Sequence, residues 1–123
     1  MRVAIAGSSW VNDFGVMCEA ISGSGLSDRI RVVLLGCKRG PGVTARTWAE
    51  LNNIPVNYFP LMKESPKGNK NGMPHVTRNK ALIKNADALI ALWDGESWNT
   101  AHVIYLAQKK GIRLYVHLVK PPK

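Results

Sequence analysis

Five short apolar runs, separated by four segments of helical spacing, constrain the fold of this chain more than any other feature. The runs are RVAIA (2–6), RVVLL (31–35), IPVNYF (54–59), ADALIALW (86–93) and IRLYVHLV (112–119). Their β-branched and aromatic content suits strands, and several are nearly continuous in apolar character, as strands covered on both faces should be. Between the first two, Phe14, Met17, Ala20 and Ile21 share a helical face, with Asn12 or Asp13 placed to cap its start. Ala45, Trp48, Ala49 and Asn52 form a second stripe, with Thr44 as the expected cap. The third stripe, from His75 to Asn85, is the weakest (Val76, Ala81, Leu82, Ile83), but Pro74 suits a first helical position. The fourth carries Val103, Ile104 and Ala107 and stops at Lys109, Lys110 and Gly111, cations at the carbonyl end followed by a residue that tolerates left-handed backbone.

Strand and helix alternating in this way predict an α/β fold: a single Rossmann-like domain over residues 1–119, with a five-stranded parallel sheet in the order 3-2-1-4-5 and helices on both faces. Residues 120–123 read as a basic tail. At 123 residues the chain can build one core but not two. The connection from Pro60 to Pro74 is much longer than an ordinary strand-to-helix turn; such a loop is either a functional lid, which its lysines favour, or merely mobile. No stretch is long and apolar enough to span a bilayer, so the expectation is a soluble, intracellular chain with no membrane partner. Cys18 and Cys37 lack metal-ligand spacing and are expected in or near the core; no metal and no cofactor is implied.

The formal net charge of +9 favours anionic partners, either nucleotides, nucleic acid or acidic protein surfaces. It is partly local: residues 63–84 hold Lys63, Lys67, Lys70, Arg78, Lys80 and Lys84 against Glu64 alone.

In an open parallel sheet, ligands collect outside the carboxyl ends of the strands, where the strand order reverses. The order 3-2-1-4-5 puts that crevice between the first and fourth strands, bordered by GSSWVND (7–13), GCKRGPG (36–42) and DGESWNT (94–100). Glycines let backbone N–H groups approach a phosphate, hydroxyls add short hydrogen bonds, and a helix start supplies unpaired donors. Ser97, Asn99 and Thr100 fit this role or that of ordinary helix capping. Gly36, Arg39, Gly40 and Gly42 shape either an anion-holding turn or a simple strand exit. The loop has neither GxGxxG spacing nor a GK[ST] ending, which removes the support for nicotinamide cofactors and ATP hydrolysis. Trp10 and Trp98, in the crevice loops, could stack on a base. His75 beside Arg78 and Asn79 could contact a ligand, whereas His102 and His117 are expected to pack or face solvent.

Taken together, GSSW, GCKRGPGVTARTWA, HVTRNKAL and ADALIALWDGESWNTAHVIYLAQKKGI resemble the SLOG (Smf/DprA-LOG) superfamily, most closely its small Rossmann-like members from bacteria and phages. In that group the second loop typically reads GGARGAD, an Arg-Asn or Arg-Lys pair opens the third helix, and the fourth loop reads WDGxSxGT. The resemblance implies a nucleotide-derived ligand at the switch point, held by Gly7, Ser8, Ser9, Gly36, Arg39, Gly40, Arg78, Asn79, Asp94, Gly95, Ser97, Asn99 and Thr100. It also implies a homo-oligomer in the cytoplasm, bacterial or of the host if phage-encoded.

The departures bear on turnover. Cys37, Gly42 and Asn99 replace a glycine, an aspartate and a glycine of the pattern. The Lonely Guy phosphoribohydrolases carry PGGxGTxxE, and the position of that glutamate is Val103 here, so the expectation is binding (sensing or sequestration) without turnover. The alternatives are a nucleoside 5'-monophosphate phosphoribohydrolase using Glu96 or Asp94, and a single-stranded nucleic-acid binder relying on the basic surface.

Overall fold

The computed structural model describes residues 1–61 and 74–120. Most of the 60–74 connection and positions 121–123 of the tail lie outside the described residues. The elements run β1 (Arg2–Gly7), α1 (Phe14–Ser24), β2 (Val32–Leu35), α2 (Pro41–Leu51), β3 (Val56–Tyr58), α3 (Pro74–Lys84), β4 (Ala88–Trp93), α4 (Trp98–Lys110) and β5 (Arg113–Leu118). The sheet is parallel throughout, in the order β3-β2-β1-β4-β5, the Rossmann-like arrangement that the alternation predicts.

Alternation along each strand divides the core in two, because successive side chains leave a strand on opposite faces. Val3 and Ile5 of β1, Val33 and Leu35 of β2, and Ile90 and Leu92 of β4 join Met17, Ala20 and Ile21 of α1 and Ala45 and Ala49 of α2. Ala4, Leu34, Leu89 and Ala91 join Leu82 and Ile83 of α3 and Val103, Ile104 and Ala107 of α4. Thus α1 and α2 cover one face and α3 and α4 the other. β4 runs between β1 and β5 with both of its faces covered, which is why its run is apolar without interruption.

Local signals explain the ends of the helices. The Asp13 carboxylate accepts from Val16 N at 3.2 Å and starts α1, while Phe14, expected on its core face, is exposed. α2 begins at Pro41, ahead of any helix that Thr44 could cap: Gly40 is its cap, with φ 51° and ψ −120°, and Pro41 occupies the first turn. Thr44 is instead buried inside the helix, its hydroxyl donating to the Pro41 carbonyl at 3.2 Å. β3 is shorter than IPVNYF, because only Val56, Asn57 and Tyr58 find partners on β2. Cys18 is half-buried, but Cys37 is exposed on the β2–α2 turn rather than near the core.

α3 accounts for its own weak stripe. Its buried residues are Arg78, Asn79, Leu82 and Ile83, so two of the four positions facing the sheet are polar. Beyond it, Lys110 at the end of α4 reaches across to donate to the carbonyls of Ile83, Lys84 and Ala86 at 2.9, 2.9 and 3.1 Å. That ammonium satisfies the orphan acceptors at the C-terminus of α3, where a cation is also favoured by the helix dipole.

Candidate functional site

Arg78 lies at the carboxyl edge of the sheet, under the β2–α2 turn, and is only 7% exposed. Its guanidinium donates through Nη1 to the Gly36 carbonyl and through Nε to Asn79 Oδ1 at 2.8 Å. The missing Cβ of Gly36 leaves the space that the guanidinium occupies, and any larger residue there would push Arg78 aside. No carboxylate partners Arg78 among the described residues. Burial pushes its pKa below the usual arginine value, with the Cys37 thiol opposing, yet a guanidinium keeps its charge. A buried cation with no counter-charge among the described residues is costly and calls for an explanation.

Asn79, fully buried, relays this arrangement to α4. Its Oδ1 accepts from Arg78, while its Nδ2 donates to Asn99 Oδ1 at 2.8 Å and lies 3.0 Å from His102 Nδ1. An amide N–H directed at Nδ1 suits the neutral imidazole that carries its proton on Nε2. Burial first, then the charge of Lys80, holds the His102 pKa below its usual value, in keeping with that state. His102 therefore belongs to the network, a role its position on an ordinary helical stripe gave no sign of. Its ring stacks on Trp98, with centroids 5.2 Å apart and planes within 2°.

The loops after β1 and β4 are stitched together by one carboxylate. Asp94 accepts from the Trp10 indole at 3.0 Å, from the backbone N–H groups of Glu96 and Ser97 at 2.8 Å each, and from the Ser97 hydroxyl at 2.8 Å. These donors, the Trp10 indole foremost, hold its pKa far below the ordinary carboxylate range. Buried Ser8 completes the seam by accepting from Asp94 N at 3.2 Å, and the Trp93 indole donates to the Ser97 carbonyl at 3.1 Å. Gly95 takes the left-handed conformation, φ 84°, that the turn requires. The second loop closes on the first at Gly40, where a Cβ would strike the Ser9 carbonyl.

These contacts redistribute the expected roles. Ser97 sits at the cap position of α4, but its hydroxyl is given to Asp94, and no side chain among the described residues caps the helix. The first-turn N–H groups of α4 are thus left to an external acceptor. Asn99 lines the crevice with its carbonyl turned to Asn79, and Thr100 is buried one residue further on. Gly7 packs against the Leu92 carbonyl and Pro41 at the crevice floor. Arg39 and Ser9 are exposed and do not line the crevice. Trp10 is half-buried with its indole N–H committed, while Trp98 is 55% exposed. Glu96 is exposed, and Val103 is buried against the crevice.

The crevice holds about 30 Å³ of free space, room for about two or three water molecules at roughly 10–15 Å³ each. Anything larger must sit above it, over the α4 start and the adjoining loops. A roomier cleft of about 390 Å³ lies on the opposite side of the β1 loop, between Trp10, Asp13 and Val16 on one flank and His117 and Lys120 on the other.

No protein-family model, no curated protein and no solved structure matches this chain.

Proposed function

We propose that this chain binds a phosphate-bearing, nucleotide-derived small molecule at the carboxyl edge of its sheet and does not turn it over. The observation that carries this reading is Arg78: a buried guanidinium next to a helix start, with neither a carboxylate on the first nor a side-chain cap on the second among the described residues. An anion above the crevice would supply the missing counter-charge and accept from the N–H groups of Trp98, Asn99 and Thr100, an arrangement that helix starts offer phosphates generally. The resemblance of the loops to SLOG proteins supports the nucleotide character of the ligand, with the exposed ring of Trp98 available to a base.

Binding without cleavage follows from the acids. N-glycosidic hydrolysis needs a carboxyl group that can exchange a proton or steady an oxocarbenium-like charge. Asp94 is engaged by four donors and far too acidic to supply a proton. Val103, at the position of the phosphoribohydrolase glutamate, offers only methyl groups. Glu96 alone remains, exposed on the turn.

Calorimetry against nucleoside monophosphates, cyclic nucleotides and ADP-ribose derivatives tests the reading, with saturable binding expected for at least one ligand and its loss expected in Arg78→Met. Chromatography of the same mixtures should show no free base. Absence of saturable binding across the panel would overturn the proposal, and release of base abolished by Glu96→Gln would replace it with the hydrolase alternative.

A further inference from the structure

The cleft beyond the β1 loop holds about 390 Å³, against about 30 Å³ in the Arg78 crevice. Its size falls within the roughly 300–1,000 Å³ of ordinary small-molecule sites. It opens because α1 and β5 touch at one end and part at the other. Gly23, near the carboxyl end of α1, leaves room for the Tyr115 ring of β5, whereas toward the amino end Val16 and His117 stand on the two walls of the cleft. The cleft therefore lies at the carboxyl end of β5, the edge of a parallel sheet on which ligands collect.

Its lining combines an apolar floor with charges of both signs. Val11 is buried, and Val16 and Val119 pack on the core behind the cleft. Trp10 lines this cleft and not the Arg78 crevice, and the bond from its indole N–H to Asp94 fixes the ring as a pre-formed wall. On the α1 side, one oxygen of the Asp13 carboxylate accepts from Val16 N, while the other has no hydrogen-bond partner among the described residues. His117 and Lys120 stand on the β5 side. Among the described residues, Asp13 and Lys120 form no ion pair, with each other or elsewhere. Opposite charges thus border one cleft without neutralising each other.

We infer that this cleft binds a small zwitterion with an apolar body, of the class of apolar dipeptides, its ammonium on Asp13 and its carboxylate on His117 and Lys120. The floor takes the apolar side chains, which supply most of the affinity, and the charges fix the orientation. A nucleotide fits this cleft poorly, because Asp13 would repel its phosphate and has already taken the Val16 N–H that the start of α1 could offer. An apolar carboxylate would leave Asp13 unmet, and a polyamine would set a cation against Lys120. Only a ligand with both charges answers both walls. This cleft is separate from the Arg78 crevice, and its test does not rest on the nucleotide reading.

Calorimetry with leucyl-phenylalanine, its N-acetyl derivative and its carboxyl-terminal amide decides the matter. We expect saturable binding of the free dipeptide with a Kd on the order of 1 mM or below. Blocking either terminus should weaken it about two- to fivefold, the range of a solvent-exposed ion pair. Asp13→Asn removes the charge but keeps the cap of α1, since Asn and Asp cap helices about equally well; this variant should melt as wild type does and bind the free and N-acetylated dipeptides equally. His117→Gln/Lys120→Met should in the same way lose the preference for the free dipeptide over its amide. Arg78→Met should bind the dipeptide as wild type does. No saturable binding up to about 10 mM, equal affinities of wild type for the three compounds, or a preference against the N-acetyl form that survives Asp13→Asn would each overturn the inference. So would loss of dipeptide binding in Arg78→Met, which would place the ligand in the crevice instead.

Discussion

Replacing Arg78 with methionine separates a guanidinium kept for a ligand from one kept for the fold. The substitution removes two hydrogen bonds from a charged donor, to Gly36 O and Asn79 Oδ1, worth about 1.5–3 kcal/mol each, so roughly 3–6 kcal/mol in all. Against this stands the desolvation of a cation only 7% exposed, an effective penalty of several kcal/mol that an uncharged side chain does not incur. Methionine keeps the unbranched stem and adapts to the space against Gly36. The two freed acceptors border a crevice that already admits water and is enlarged by the loss of the fork, so they need not remain dry. The opposing contributions nearly cancel, and Arg78→Met is expected within about 1 kcal/mol of wild type, a melting shift below roughly 5 °C. Ligand binding should behave differently: losing one charged hydrogen bond to a phosphate costs about 1.5–3 kcal/mol, or some ten- to 150-fold in affinity. Urea denaturation and calorimetry on the same preparation measure both. A destabilisation above about 3 kcal/mol would show the guanidinium to be a fastening of the fold, and unchanged affinity for a ligand that wild type binds would refute its place in the site.

Gly40→Ala should cost about 2–4 kcal/mol in urea denaturation, because φ 51° with ψ −120° is strained for any L side chain and the new methyl meets the Ser9 carbonyl; a change under 1 kcal/mol, on the order of an ordinary surface substitution, would show that the two loops are not closed at this point. Asp94→Ala should lower the melting temperature most at neutral pH. A carboxylate whose folded pKa is depressed stabilises above its unfolded value, near pH 4, and loses that contribution as pH falls toward the lower folded value, so the gap between wild type and variant should close below about pH 4. A gap that stays constant down to pH 2 or widens on acidification would contradict the four-donor arrangement. Lys110→Met should cost about 1–2 kcal/mol by removing the only cation bonded to the end of α3 among the described residues, whereas Lys109→Met, one residue earlier and exposed, should change stability by less than about 0.5 kcal/mol; equal effects of the two would remove the capping role.

The architecture was legible because its signals are local and redundant. Apolar runs of β-branched residues alternate with helical stripes, Asp13 and Pro74 mark helix starts, Gly111 marks a stop, and right-handed crossovers leave few ways to arrange five parallel strands. Strand order pointed to the carboxyl edge beside β1, where connections leave β1 and β4 in opposite directions, but the crevice there is lined by the ends of β1 and β2 with α3 and α4 and by no residue of β4. The weak stripe of α3 held a further clue: its sheet-facing positions include Arg78 and Asn79, and polar residues on a core-facing helix mark a place where packing has been given up for something else.

What tertiary structure alone decided is which polar groups remain free. Read along the chain, Ser97, Asp94 and Trp10 are three equal candidates for holding a ligand, yet across 84 residues Asp94 takes the Trp10 indole, and within three it takes the Ser97 hydroxyl, so all three are consumed in fastening the loops. Arg39 and Arg78 look alike in sequence, but one ends exposed on a turn and the other is buried beneath it. His102 and Lys110, unremarkable in the sequence, acquire partners 23 to 27 residues away. Periodicity reports which face of an element is buried; hydrogen-bond occupancy depends on which side chains from distant segments arrive at the same donor or acceptor, and that is settled only when the elements pack.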